Sequence, residues 1–275
     1  MVPRTVGEKA WVRPEPSDAC PVPPGHQEWI ETWMRWCVKE FGTAPLRKAV
    51  ALPGPELLPV GFEASQEQTE QLVRRVGAIM GADPDGITIS LFESAPDDAR
   101  SPLSSRDRHR TVGLYRKVDG RAQIELDIRE AEEPPVFAAV IAHELGHARL
   151  LGENRIEGLS VDGELLTDLV TVYLGMGVFT ANAAYHFTKA SQGFSVVPLG
   201  DLTDRMLTGT RDASQRLGYL TDRQFGYALA YYSVLRGELD PAWAGHLNAG
   251  VRVVLRQGLR HLASRPRVRR DALPE

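Results

Sequence analysis

Residues 140–169 read VIAHELGHARLLGENRIEGLSVDGELLTDL. His143 and His147 lie four apart, and so do Glu164 and Asp168. Residues four apart share a face only if the chain is helical there. The stretch therefore asks for two successive helices, one carrying the imidazoles and the other the acids. The first is flanked by Val136, Phe137, Val140 and Ile141, which predicts an amphipathic helix. It opens at Pro134 and Pro135, where proline is tolerated, and stops at Gly152. The second is expected over roughly Gly163 to Met176.

Other elements are placed by periodicity and punctuation. Trp29, Ile30, Trp33, Met34, Cys37 and Val38 form one apolar face, so 28–41 reads as a helix packed on the core. Residues 65–80 follow as a helix with Ser65 as N-cap and Gln68 in the capping-box position. Ile87 to Phe92, Thr111 to Lys117 and Gln123 to Ile128 read as strands. The last two join at Asp119-Gly120, a strong hairpin signal. Ser94 to Arg108 and Thr180 to Leu199 read as loops. Further helices are expected at 202–217, 221–235 and 241–263, with the apolar faces around Tyr227, Tyr231 and Trp243 as core. Gly175 and Gly177 suggest close helix approach or a helix end, and Asn182 a cap for the segment after it. Residues 1–25, rich in proline, form an extension. Residues 26–275 form one α+β domain with its core at 86–178 and a helical part at 200–264.

Two imidazoles on one helix face suit a single divalent cation, zinc in particular, with a carboxylate as third ligand and a position left for water. Glu144, on the neighbouring side, can hold that water and take its proton. For the third ligand Glu153, Glu157, Asp162, Glu164 and Asp168 are all near in sequence. Glu164 and Asp168 share a face. One can bind metal while the other accepts the spare N–H of a ligand histidine. Their placement beside Leu165, Leu166, Leu169 and Val170 needs such a role, because unpaired carboxylates are costly to bury.

H-E-L-G-H followed by E-L-L-T-D-L resembles the gluzincin metallopeptidases, whose motifs are H-E-x-x-H and E-x-x-x-D on successive helices. The resemblance covers about residues 123–177. It implies His143, His147 and Glu164 as zinc ligands, Glu144 as general base and Asp168 as brace for a ligand histidine. It also implies a zincin-like fold, a small antiparallel sheet over the active-site helix, with an extended peptide pairing to the edge strand; Gln123 to Ile128 is the candidate edge. Gluzincins add a later His, Tyr or Arg to steady the oxyanion, for which His186, Tyr227, Tyr219 and His246 are candidates. The stretch 164–182 is similar to a group of bacterial proteins sharing this core, which names no substrate.

Composition narrows the classes. The formal net charge of -4 over 275 residues disfavours nucleic acid as the main partner. The Arg-rich end, 265–270, reads as a solvated terminus. Two cysteines build neither a disulfide framework nor a thiolate metal site. No apolar run approaches the ~18 residues of a membrane span, and the start lacks a signal-peptide core. The expectation is a cytoplasmic zinc peptidase acting on peptides or proteins. A zinc-stabilised structural or regulatory module without turnover is the alternative, and retention of Glu144 argues against it.

Overall fold

The computed structural model describes residues 18–83, 86–93, 113–118, 121–157, 163–192 and 220–265, with side chains left out over 185–192. The expected loop at 94–108 and helix at 202–217 lie outside these residues, as does the extension before residue 18. The architecture is α+β: helices around a three-stranded mixed sheet.

Helix α1 (Pro24–Phe41) starts four residues earlier than its apolar face predicts, because Pro24 at its opening needs no N–H partner. A short helical turn, α2 (Ala44–Arg47), follows. In α3 (Gln66–Met80) the Ser65 hydroxyl accepts from the Gln68 N–H as expected. The Gln68 side chain reaches back past the cap to the Glu63 N–H, and Gly81 ends the helix at φ 67°.

Strands β1 (Ile87–Phe92), β2 (Gly113–Val118) and β3 (Arg121–Asp127) run in the order β1-β3-β2. β2 pairs antiparallel with β3, with Val118 opposite Arg121, whereas β1 pairs parallel with β3. Two expectations are corrected here. The sheet is mixed rather than antiparallel, and the expected edge strand Gln123–Ile128 lies, up to Asp127, in the central strand. The physical reason lies in β3 itself, which buries Ile124, Leu126 and Asp127, while the second half of β2 is exposed. The strand with most to bury takes the middle.

Helix α4 (Pro134–His147) crosses beneath the sheet. Every residue from Val136 to His147 is buried, so this is a central helix rather than the amphipathic one its flanks suggest. It runs into a π-helical turn at Ala148–Gly152, whose Arg149 stands over the Phe41 ring beside Arg155. Helix α5 (Gly163–Tyr173) ends at Gly175, φ 97°, and α6 (Gly177–Gln192) follows at once. Helix α6 occupies much of the stretch read as a loop from its Gly, Ser and Thr content. At Gly177 a Cβ would stand 2.9 Å from Leu229 and 3.1 Å from the Val172 backbone, so close approach holds there as well.

Helices α7 (Asp222–Leu235) and α8 (Ala249–Ala263) pack on each other, with a 3₁₀ turn at Ala242–His246 between them. Thr221 and Gln224 form a reciprocal capping box at the start of α7. Asn182 caps a distant element: its side chain accepts from Asn248 N–H and donates to the His246 carbonyl. Arg265 is clamped to Glu31 at 2.7 Å, so the Arg-rich end begins as part of the fold. Cys20 and Cys37 are both free thiols. Among the described residues no helix is long and apolar enough to cross a membrane.

Candidate metal centre

The two histidines project from α4 toward α5, their rings 4.8 Å apart and nearly perpendicular. Glu164, in the first turn of α5, sends Oε2 to within 3.0 Å of His143 Nε2 and 3.5 Å of His147 Nε2. One donor atom from each of the three lies within 4.8 Å of the others. A tetrahedral cation held at about 2.0–2.2 Å sets its donors about 3.3–3.6 Å apart. Of the two Glu164 separations, 3.5 Å lies within that spacing and 3.0 Å a little below it, and the donor set, two imidazoles and a carboxylate, fits a borderline-soft divalent ion.

The remaining nitrogens are engaged from α5. Asp168 Oδ1 lies 2.9 Å from His143 Nδ1, and its Oδ2 accepts the Leu220 N–H at 3.0 Å. Asp168 is thus tied both to the helix that carries the histidines and to the chain entering α7. Thr167 Oγ1 lies 3.2 Å from His147 Nδ1 and donates to the Gly163 carbonyl at 2.8 Å.

Burial opposes charge on His143, Glu164 and Glu144, and their neighbours decide how far it prevails. For His143, burial works against protonation but is outweighed by bonds to Asp168 and Glu164, so its pKa is raised well above the ordinary value. Glu164 is likewise desolvated, yet its contacts with the two histidines hold it far below the usual carboxylate range. Glu144 goes the other way: burial raises its pKa, and the neighbouring histidines offset this only in part.

Glu144 packs under the first residue of β2. A Cβ on Gly113 would stand 2.6 Å from Glu144 Oε1 and 2.8 Å from Val140. Two residues on, the Tyr115 ring stacks over His147 with centroids 6.3 Å apart. The edge strand above the histidine helix is therefore β2, with Gly113 over the candidate base and Tyr115 over a candidate ligand.

Of the other acids, Glu153 pairs with Arg149 and Arg155, and Glu157 is exposed. Asp162 lies outside the described residues. Tyr227, one of the candidate oxyanion donors, is fully buried and donates to Glu31 Oε1 at 2.7 Å, its helix face packed against α1. His246 sits exposed on the 3₁₀ turn. The His186 side chain and Tyr219 lie outside the described residues. Sequence reasoning missed Thr167, Gly113, Tyr115 and the Leu220 amide. Thr167 carried a usable signal, standing three residues after Glu164 and so on the same helical face. Compared with known proteins, the chain matches no family model, no curated protein and no solved structure.

Proposed function

We propose that this protein is a zinc-dependent peptidase of the gluzincin type, with His143, His147 and Glu164 as ligands. One observation carries the reading: three donor atoms from α4 and α5 converge while the buried carboxylate of Glu144 stands beside them without joining the cluster. A cation held for structure alone has no need of a third acid there.

Zinc, when bound, supplies a Lewis acid and brings the pKa of a water from about 15.7 toward ~7. Glu144 then takes the proton of the attacking water and delivers it to the departing amine nitrogen. Asp168 holds His143 in one ring orientation throughout. An extended peptide would pair with the outer edge of β2, the strand that lies over both Glu144 and His147, by main-chain hydrogen bonds.

A second reading, a zinc-stabilised module without turnover, draws support from Tyr227, whose hydroxyl is engaged by Glu31 rather than free to steady an oxyanion. Metal analysis of the purified protein and a Glu144→Gln variant separate the two. The peptidase reading expects about one zinc per chain in both proteins, with cleavage of a peptide library by the wild type only. Equal behaviour of the two on every peptide supports the module, and absence of bound metal removes both.

A further inference from the structure

We infer that Thr167 is the positioning residue for His147, fixing which ring nitrogen carries the proton. A neutral imidazole binds metal through Nε2 only if its proton sits on Nδ1, and that proton needs an acceptor. For His143 the acceptor is Asp168. For His147 the nearby oxygen is Thr167 Oγ1, at 3.2 Å. A hydroxyl has one proton to donate, and that of Thr167 is directed to the Gly163 carbonyl at 2.8 Å. Toward His147 it can only accept. Nδ1 must therefore carry a proton, which leaves Nε2 as the nitrogen that can give its lone pair to a cation.

Packing holds the hydroxyl in that place. Thr167 is completely buried, and its χ1 is restricted by branching at Cβ. Its methyl lies where a Cβ on Gly146 would stand 2.8 Å away. The glycine inside H-E-L-G-H is what lets α5 approach closely enough for the hydroxyl to reach the ring. Charge explains why a hydroxyl stands here and not a second aspartate. Glu144, Glu164 and Asp168 already crowd the site, and another buried carboxylate would add like-charge repulsion and desolvation. Helix α5 thus contributes one ligand and two orienting acceptors at positions 164, 167 and 168, one of the acceptors charged and one neutral.

The metal side of this inference rests on the zinc reading, whereas the tautomer side does not. Two variants test it: Thr167→Val removes the hydroxyl at nearly constant shape, and Thr167→Ser keeps it. The first measurement is the ¹⁵N chemical shifts of the His147 ring in metal-free protein, above the pH at which the ring loses its second proton. The second is zinc affinity by chelator competition. Wild type and Thr167→Ser are expected to show an Nδ1–H ring. Thr167→Val is expected to lose that signature and bind zinc about 10–100-fold more weakly. A wild-type ring protonated on Nε2 overturns the inference whether or not the variants fold, as does a valine variant matching wild type in both measurements. If wild type shows the Nδ1–H ring, valine abolishes it and neither binds zinc, the role of Thr167 stands and the zinc reading fails.

Discussion

Gly113 and Glu144 are in contact so close that a single methyl group on the glycine would stand 2.6 Å from the carboxylate. The edge strand and the candidate base are thereby set against each other, and only a residue without a side chain fits between them. Gly113→Ala must push Glu144 or the strand aside. Displacements of about 1 Å in a catalytic group can lower rates roughly 100-fold. On the peptidase reading, the expected outcome is a comparable loss of peptide cleavage with zinc content unchanged, because the three candidate ligands lie on α4 and α5. Unchanged cleavage in Gly113→Ala would dissociate the strand from the base.

Asp168 faces two partners that both donate, the Nδ1–H of His143 and the backbone N–H of Leu220. Asp168→Asn keeps the shape but presents one oxygen and one amide. Whichever way the amide turns, one partner meets another donor. Zinc affinity is expected to fall about 10–100-fold, as for other carboxylates that orient a ligand histidine. Chelator competition checks this, and an affinity within about threefold of wild type contradicts the bracing role.

If the site holds zinc as proposed, metal removal should be felt by the whole domain, since the candidate ligands come from α4 and α5, two of its buried helices. A cation present at 100 times its dissociation constant stabilises the folded state by about 2.7 kcal/mol. For a domain of this size that corresponds to roughly 5–10 °C in melting temperature. Treatment with a chelator is expected to lower Tm by that order, with recovery on adding zinc but not magnesium. A melting curve indifferent to both denies the ion any part in stability.

On α1, Glu31 is buried and accepts from Gln27, Tyr227 and Arg265. Burial raises its pKa, but these donors outweigh burial and leave it below the ordinary value of 4.5. Its contribution to stability is therefore complete above about pH 4.5 and is lost as pH falls through the lowered folded value. Glu31→Gln should be less stable than wild type at neutral pH, and the gap should narrow on acidification. Urea titrations between pH 3 and 7 measure it; parallel curves would mean that the charge of Glu31 is immaterial.

The parts legible beforehand were those governed by neighbours in the chain. The four-residue spacing of His143 and His147 dictates a shared helical face wherever the helix goes, and so does that of Glu164 and Asp168. Ser65 caps α3 because its hydroxyl reaches an amide three residues on. The pairing of β2 with β3 follows from the Asp-Gly hairpin signal between them. Where local composition misled, packing explains it. Residues 180–192 contain Ser, Thr and Gly-adjacent polar groups that suggest a loop, yet the helix starting at Gly177 continues through them against α4.

Tertiary structure alone decided which partners those local faces would meet. Nothing near Gln123–Ile128 in the chain reveals that β1 joins its far side and makes it central. Tyr227 looks as available as any tyrosine until α1 brings Glu31 to its hydroxyl. Thr167 becomes an acceptor for His147 only because Gly146 leaves room for α5. Periodicity is a property of one segment and survives in any fold; contact between distant segments depends on which surfaces the folded chain buries together, and no local spacing encodes that.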